Sequence, residues 1–361
     1  MAKRLAYDRV LFLVTLTLLA FGLVMVFSAS AVVSMARYQS PFNFLLKQAF
    51  GALLGLACMW GMMQLDYRRL KTPIVVYSAL FLSLFLLGLV FLQSQVQHTH
   101  RWIHAGLLSI QPSEVAKPVL ILFLAFFLES KLKQVNEPRA MRPALLYLLV
   151  TCFLVFVEPD LGTTVALVVI AISMFYMAGM RLRYFAYAAA TAVPLLYLAV
   201  FRVHYRRERI LAFLHPWADP QGNSFQIVQS LIAVGTGGVT GLGLMSGRQK
   251  LFFLPEPQTD FIFAVIGEEL GLLGSALLLT LFVVFLYRGL RIARRAPDAF
   301  GRLLAIGITT MVVVQALINF SVVTGLMPTK GIPLPFISYG SSSLVVTLWA
   351  VGVLLNISQY T

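Results

Sequence analysis

The sequence has little charge, and this deficit limits the class of protein before any motif is considered. Of its 361 residues, 12% are charged and 59% are hydrophobic, and the mean hydropathy is +0.86. A soluble domain of ordinary composition carries about 25% charged residues. The composition excludes a soluble globular enzyme, a disordered chain and a nucleic-acid-binding module, and it indicates a polytopic membrane protein.

Cysteine is also scarce. Cys58 and Cys152 are the only two cysteines, and both lie inside apolar runs. A thiol in such a run behaves as a small buried hydrophobe. The cysteines therefore carry no information about the redox compartment.

Acidic residues are few compared with basic ones. There are 28 Lys and Arg against 14 Asp and Glu, which gives a formal net charge of +14. Seventeen of the basic residues fall in short segments that we expect on one side of the membrane, at residues 3–9, 68–71, 131–142, 181–183 and 288–302. This asymmetry is typical of the positive-inside rule, so the basicity reports topology and requires no polyanionic partner.

Ten apolar runs are long enough to cross the roughly 30 Å hydrocarbon core of a bilayer, which takes about 20 helical residues. They lie at residues 10–33, 45–64, 73–93, 112–130, 141–158, 161–179, 183–201, 261–287, 303–326 and 334–357. The sequence thus predicts an all-α polytopic integral membrane protein with about ten transmembrane helices in one domain, residues 1–361. The first run exceeds the apolar core of a signal peptide, so we expect it to be retained, with both termini in the cytoplasm.

One connection, residues 202–260 between helices seven and eight, is much longer than the others. We expect this large extracytoplasmic loop to be functional, as long loops usually are. It begins with a basic cluster at 202–209 and continues with an amphipathic stretch at 225–232, which is typical of an interfacial helix. A glycine-rich run follows at 235–247, and its backbone amides are candidates for a nest around phosphate oxygens.

Two pairs of ionisable residues within the predicted spans need an explanation. Glu114 and Lys117 are three residues apart at the start of span four, on one helix face, where they can pair. A charged group in a span costs about 2.5–3.5 kcal/mol on insertion scales, so each has a reason to be there. The pair is either a structural ion pair or the lining of a cavity open to the outer leaflet. Glu268 and Glu269, two turns into span eight, should face protein or water.

Two aspartates lie at the predicted outer interface, and each is a candidate helix cap. Asp160, in the EPDLGTT turn between spans five and six, is a candidate helix N-cap. Asp260 stands where the long loop enters span eight, and it too is either an N-cap or a reactive group. As a reactive group it would have a pKa raised by desolvation and lowered by nearby cations, as a general base requires.

The basic residues of the long loop and Lys330 form the only large basic set on the predicted outer side. Because this set opposes the orientation rule, it indicates an anionic, lipid-borne ligand on the outer leaflet. The histidines of the outer segments, His98, His100 and His104 among them, have no spacing typical of a metal site.

Several motifs occur together in one order over nearly the whole chain: FSASAV, QPSEVAK, PDLGTT, HPWADPQGNSFQ with the glycine-rich run, LPEPQTDFIFAVIGEELG and GLMPTKGIPLPFISYGSSS. On these motifs the sequence resembles the SEDS family (shape, elongation, division and sporulation), which includes RodA and SpoVE. It is more similar to the FtsW-like branch than to RodA. Ser341 departs from the family pattern, which commonly has a second glycine after SYG, and we expect it to affect local packing alone.

The resemblance implies a peptidoglycan glycosyltransferase that polymerises lipid II, an undecaprenyl-pyrophosphate-linked disaccharide-pentapeptide, for septal cell-wall synthesis. The enzyme would invert the anomeric centre at the outer face of the bacterial cytoplasmic membrane. Asp260 would be the catalytic general base on the acceptor 4-hydroxyl, or the electrostatic organiser of that site. The residues implied to bind substrate are Glu114, Lys117, Asp160, Arg209, Arg248, Lys250, Thr259, Lys330 and Ser338.

The resemblance also implies partners, namely a class B penicillin-binding protein transpeptidase, divisome proteins and membrane lipid, with no nucleic acid. It allows a divalent cation, Mg²⁺ or Mn²⁺, and no organic cofactor. Two alternative functions stay open. A lipid II flippase is favoured by the intramembrane ionisable residues, although the sequence indicates no paired inverted repeats and no interrupted helices in matching halves. The other alternative is a non-catalytic divisome scaffold.

Overall fold

The computed structural model describes residues 6–92, 101–105, 108–202, 204–222 and 224–361. Its helices are α1 (Arg9–Tyr38), α2 (Asn43–Gln64), α3 (Pro73–Leu89), α4 (Pro112–Ser130), α5 (Pro138–Val157), α6 (Leu161–Met177), α7 (Leu182–Phe201), α8 (His204–Leu214), α9 (Phe225–Thr236), α10 (Ile262–Arg295), α11 (Ala299–Val323) and α12 (Ser341–Ser358). The predicted all-helical membrane architecture is confirmed. A short antiparallel hairpin that the sequence did not predict, β1 (Ile103–Ala105) and β2 (Leu108–Ile110), precedes α4.

The helices follow the predicted spans closely, with one exception. Seven of those described are long and apolar enough to cross a membrane: α1, α2, α3, α5, α10, α11 and α12. The other three predicted spans coincide with α4, α6 and α7, and the count of ten crossings stays a prediction. The start of the last predicted span is wrong, because residues 334–340 are irregular and α12 begins only at Ser341. Pro333 and Pro335 explain this, since proline lacks the amide donor that a helix interior needs.

α11 lies at the centre of the bundle and is buried along most of its length. It contacts α4 and α6 as well as α9, α10 and α12, while α2 packs along α12 and α1 along α10. Side-chain contacts bring the first residues of α4 and α12 together, and they place the turn before α10 against the segment between α11 and α12. We call this end of the bundle the Asp260 end.

The opposite end of the bundle, where α10 meets α11, is the Asp298 end. Basic residues from segments predicted on one side of the membrane pair with acids there: Arg68 with Asp298, Lys71 with Glu129 and Arg288 with Asp8. This clustering at one end is what the positive-inside rule predicts. Lys3 and Arg4 lie outside the described residues, and the orientation in the membrane stays a prediction.

α9 is the predicted amphipathic helix, and it packs on the bundle. Its buried residues Ile227, Val228 and Ala233 face α10 and α11, and Ser230 Oγ donates to the carbonyl oxygen of Val323 at 2.8 Å. One face of this helix is therefore covered by protein.

α10 is interrupted at Gly271, where the backbone is not helical (φ 63°, ψ −158°). This point lies nine residues after the helix begins, which corresponds to about 13 Å along the axis. A Cβ at this position would collide with the backbone of Val239 and Gly241, and the positive φ also favours glycine. Apolar residues resume after the break, and the sequence therefore predicted one continuous span here.

The glycine-rich segment fills the break in α10. Leu242 N donates to the carbonyl oxygen of Glu268 at 3.0 Å, and Leu272 N donates to that of Gly238 at 2.9 Å. Residues 243 and 273 repeat these two bonds one position further along the chain. The backbone groups that the break exposes are thus satisfied inside the protein, as a bilayer requires.

The amides of the glycine-rich segment therefore bind the protein itself. Besides the backbone bonds, Met245 N donates to the Glu269 carboxylate at 3.0 Å, and Arg248 N and Gln249 N donate to the Glu268 carboxylate at 2.8 and 3.2 Å. These amides are engaged by internal oxygens. The structure does not support the phosphate nest that the sequence suggested.

Candidate functional site

Asp260 lies in the turn before α10, and its side chain does not cap that helix. The N-cap position of α10 is occupied by Phe261, without a side-chain hydrogen bond. The side chain of Asp260 is partly exposed, and its carboxylate lies against the Cα of Gly331. The N-cap interpretation is therefore wrong, and the carboxylate faces the segment between α11 and α12.

The segment between α11 and α12 holds the Asp260 turn in place. Ser338 Oγ donates to the carbonyl oxygen of Thr259 at 2.5 Å and accepts a backbone N–H of its own turn at 2.7 Å. Tyr339 N donates to the carbonyl oxygen of Gln258 at 2.8 Å. Thr259 and Ser338, both predicted to bind substrate, thus lie next to Asp260, and the Ser338 hydroxyl is already engaged by backbone groups.

Charges of both signs surround the Asp260 carboxylate and set its pKa. Burial raises the pKa most, and Arg101 opposes it. Glu256 and Asp160 raise the pKa further, while Arg209 lowers it. The result is a pKa raised to about 6. Asp260 is therefore ionised at neutral pH yet binds a proton more tightly than an ordinary carboxylate, which is the property expected of a general base.

Arg101 is the site residue that sequence reasoning missed. Its Nε donates to the carbonyl oxygen of Glu158 at 3.1 Å, and its Nη2 donates to that of Pro159 at 2.5 Å. These bonds fix the guanidinium within electrostatic range of Asp260. The one signal in the sequence was its location, since short outer connections hold few basic residues.

The EPD turn carries two carboxyl groups in different surroundings. Asp160 caps α6 by accepting hydrogen bonds from Thr163 N at 3.1 Å and Thr163 Oγ1 at 2.8 Å, which confirms the capping interpretation. Glu158 is buried, and neither carboxyl oxygen has a hydrogen-bond partner among the described residues. Burial and the charge of Asp160 raise the pKa of Glu158 to about 8, whereas the charge of Arg101 acts to lower it. Glu158 is therefore mostly protonated at neutral pH.

Two of the predicted cationic residues belong to the segments around Asp260. Arg209 extends from α8, and its Nη1 donates to the carbonyl oxygen of Thr329 at 3.2 Å. Lys330 follows in the chain and directly precedes Gly331, the residue that contacts Asp260. Arg101 and Arg209 are thus the two cations that lower the pKa of Asp260, while the carboxylates of Glu256 and Asp160 raise it.

Glu114 and Lys117 form a separate buried cluster at the Asp260 end. Lys117 Nζ lies 2.6 Å from Glu114 Oε1, and the two side chains are 1% and 2% exposed. Ser343 Oγ donates to the other Glu114 oxygen at 2.6 Å. The predicted pair is formed and ties α4 to α12, and its role in substrate binding stays a prediction.

Lys250 and Arg248 lie at the break in α10. Lys250 Nζ is buried 2.6 Å from Glu269 Oε1 and 3.1 Å from Ser28 Oγ, and Ser28 donates to the other Glu269 oxygen at 2.6 Å. The side chain of Arg248 is exposed. The Lys250 ammonium is thus paired inside the protein. The predicted binding of substrate by these two residues is not tested by these contacts and stays a prediction.

A metal site is not preformed in the part of the chain that the structure describes. No group of three or more His, Cys, Asp or Glu side chains there is arranged to hold a metal ion, and His98 and His100 lie outside that part. Mg²⁺ is often held by one or two carboxylates together with substrate phosphates. The divalent cation stays a prediction for that reason.

Fold and site together define a multi-pass membrane protein with a partly buried acid–base group among charges of both signs at one end of its bundle. The chain belongs to the FtsW, RodA and SpoVE family of cell cycle proteins, whose model matches residues 8–361. The family resemblance read from the motifs is confirmed.

Similar proteins cover the chain almost completely. It is 45% identical over 356 residues to a probable peptidoglycan glycosyltransferase FtsW from Geobacter metallireducens, which covers 98% of this chain and 94% of that protein. It is 44% identical over 361 residues to stage V sporulation protein E of Bacillus subtilis, covering 99% of both. A solved structure concerning coordination of polymerization and crosslinking by a peptidoglycan synthase complex matches with a TM-score of 0.81 and 29% identity over 98% of each chain.

Proposed function

We propose that this protein is a peptidoglycan glycosyltransferase that polymerises lipid II at the Asp260 end of its bundle, on the outer face of the bacterial cytoplasmic membrane. The relatives named as glycosyltransferases support the activity, since 45% identity extends over nearly the whole chain. In the structure, the observation that carries the proposal is the Asp260 carboxylate, which is partly exposed, does not cap its helix and is influenced by two guanidinium groups.

The reaction uses Asp260 as the general base. Its carboxylate takes the proton from the 4-hydroxyl of the acceptor sugar as that oxygen attacks the anomeric carbon of the donor. The bond between this carbon and the lipid diphosphate breaks, the diphosphate leaves with the electron pair, and the configuration inverts from α to β. A pKa near 6 leaves the base ionised at neutral pH and basic enough to accept the proton.

The cationic groups stabilise the leaving diphosphate. Arg101, Arg209 and Lys330 lie at the same end as Asp260, and two backbone carbonyls hold the Arg101 guanidinium in advance. Preorganised charges of this kind stabilise negative charge as it develops in the transition state. Thr259, Ser338 and Asp160 shape the surroundings of the carboxylate, and Glu114 with Lys117 forms a polar wall at the same end.

A divalent cation, Mg²⁺ or Mn²⁺, would fit this site because a carboxylate oxygen donor is available there. Asp260 is the carboxylate that would hold it, with diphosphate oxygens as further ligands, because Mg²⁺ prefers such oxygen donors. The cation would neutralise diphosphate charge. Chelation with EDTA followed by return of Mg²⁺ or Mn²⁺ tests this requirement in the polymerisation assay.

The partner we propose is a class B penicillin-binding protein, and the process is septal cell-wall synthesis together with the divisome. The synthase complex of the similar structure concerns both polymerization and crosslinking, which supports a transpeptidase partner. The distribution of basic residues supports a cytoplasmic location for both termini.

The test is polymer formation from purified lipid II, with and without the cognate transpeptidase. Asp260→Asn should lower turnover at least about 100-fold, which is the lower end of general base contributions. Its melting temperature should equal or exceed that of the parent, because a carboxylate with a raised pKa costs stability at neutral pH. Asp66→Asn is the matched control, since Asp66 caps a short 3₁₀ helix at the Asp298 end and asparagine caps equally well. Turnover of Asp260→Asn at the parental rate would show that the assigned role is wrong.

One observation favours the alternative of a lipid II flippase, namely the interrupted helix α10, because broken helices line transport pathways. Here the break is filled by residues 238–243, and its Glu269 carboxylate is paired with Lys250. A flippase predicts translocation of lipid II in liposomes without polymerisation, at equal rates for the parent and Asp260→Asn. A scaffold predicts neither activity.

A further inference from the structure

Asn319 links two distant chain segments through a single amide group. It lies in α11, four residues before the helix ends, and is buried. Its Nδ2 donates to the carbonyl oxygen of Asp260 and to that of Ile332, both at 2.8 Å. An amide NH₂ carries two hydrogens, so both are used, one for each segment.

The orientation of the Asn319 amide is dictated by these two acceptors. A flipped amide would place Oδ1 against two carbonyl oxygens and lose both bonds. In the observed orientation, Oδ1 is buried without a hydrogen-bond partner in the described part of the chain. The residue therefore leaves its acceptor unsatisfied while both donors are used, which points to a requirement for the donors.

The two linked carbonyl groups belong to the centre of the site. One is that of Asp260 itself, and the other belongs to Ile332, the residue after Gly331, whose Cα lies against the Asp260 carboxylate. Lys330 comes immediately before Gly331 in the same segment. The Asn319 amide thus fixes the backbone of the carboxylate relative to the segment that carries a cationic side chain.

We propose that Asn319 is a positioning residue for glycosyl transfer, because its amide sets the Asp260 carboxylate against the Lys330–Gly331 segment. The inference rests on the proposed role of Asp260 as general base. Asn319 does not touch substrate and acts only through the geometry of the two segments. A displacement of about 1 Å at a reacting group lowers the rate about 100-fold, so removal of this link should act mainly on kcat.

The test compares Asn319→Leu with Asn356→Leu. Asn356 is a buried asparagine of α12 whose side chain also makes two backbone hydrogen bonds, from Tyr67 N and to Met63 O, both at 2.9 Å. Tyr67 donates a hydrogen bond to Asp298, so Asn356 lies at the Asp298 end, far from the proposed site. The two substitutions remove equivalent internal bonds, and only one of them is beside Asp260.

Both variants should melt at a lower temperature than the parent. Only Asn319→Leu should lower kcat more than tenfold at equal folded fraction, with KM for lipid II within about threefold, because the substrate-facing groups remain. It should also shift the acid limb of the pH–rate profile. The Asp260 carboxylate moves relative to the charged groups that set its pKa, which are Arg101, Arg209, Asp160 and Glu256. Asn319→Ala, with Asn356→Ala as its control, removes the same amide groups without adding a charge and gives the same comparison if the leucine variants do not fold.

Each outcome decides a different question. Equal kcat and an unchanged pH profile for the Asn319 and Asn356 variants would show that Asn319 has a structural role alone. If Asp260→Asn is inactive in the same assay, the role of Asp260 stands in spite of that result. If Asp260→Asn polymerised lipid II at the parental rate, the role of Asp260 would fail first and the role of Asn319 with it.

Discussion

Gly331 leaves the space that the Asp260 carboxylate occupies, since a Cβ at position 331 would overlap Oδ2 of that carboxylate. Gly331 itself is exposed. The carboxylate thus reaches the surface of the site across a residue without a side chain. The absence of a methyl group at position 331 is therefore a condition for the position of the base.

Gly331→Ala should lower polymerisation at least tenfold with little loss of folding stability, because the methyl group displaces the Asp260 carboxylate and the residue is exposed. Gly61→Ala is the control. Gly61 lies in α2 with no atom near an added Cβ, and alanine in a helix stabilises by about 0.5–1 kcal/mol. The measurements are the polymerisation rate and the melting temperature of both variants. Full activity of Gly331→Ala would contradict the contact between position 331 and the Asp260 carboxylate.

Arg101→Gln should raise the pKa of Asp260 above its value of about 6, because Arg101 is the strongest influence that lowers it. A higher pKa delays ionisation of the base, so the pH of half-maximal kcat/KM moves upward. Arg209→Gln should shift it in the same direction by less. Lys47→Gln changes a basic residue of α2 that is not among the groups acting on the pKa of Asp260, and it should leave the profile in place. A shift to lower pH for Arg101→Gln would disprove the electrostatic assignment.

The sequence predicted the features of the site that depend on residues close together in the chain or on a family motif. The pair Glu114–Lys117 follows from three-residue spacing on a helix, and it is formed. The site position of Asp260 followed from the motif and from its place before a helix. Both depend on residues close in the chain or on a family pattern.

The sequence did not predict contacts between residues that are far apart in the chain. Lys250 was predicted to bind an anion, and the contact with Glu269 depends on a loop that enters a break in α10. That break was not predicted although Glu268 and Glu269 precede it, because apolar residues resume after Gly271 and the whole segment is long enough for one span. Arg101 is held in position by hydrogen bonds to the carbonyl groups of a turn 57 residues away. A pattern of residue types does not specify such tertiary contacts.

Lys250→Met separates the structural role of Lys250 from a role in binding substrate. Removing one partner of a buried pair costs about 3–5 kcal/mol, so the variant should melt at a markedly lower temperature. The double variant Lys250→Met/Glu269→Gln should recover much of this loss, because no unpaired charge remains buried. Arg248→Gln, at an exposed side chain, should melt as the parent does. A Lys250→Met protein of parental stability with tenfold weaker lipid II binding would favour the substrate-binding role.

Glu158→Gln tests the buried carboxyl group of the EPD turn through stability. Burial raises the pKa of Glu158 from 4.5 to about 8 in the folded protein. Below pH 4.5 the group is neutral in both the folded and the unfolded state, and it costs nothing. As the pH rises from 4.5 to 8, the unfolded chain ionises first, so the parent loses stability by about 1.4 kcal/mol per pH unit from this group. Glutamine does not titrate, and its variant lacks this loss. The melting temperature of Glu158→Gln minus that of the parent should therefore increase between pH 4.5 and 8 and remain constant above pH 8. Parallel curves for the two proteins would mean that Glu158 finds a partner or solvent when it ionises.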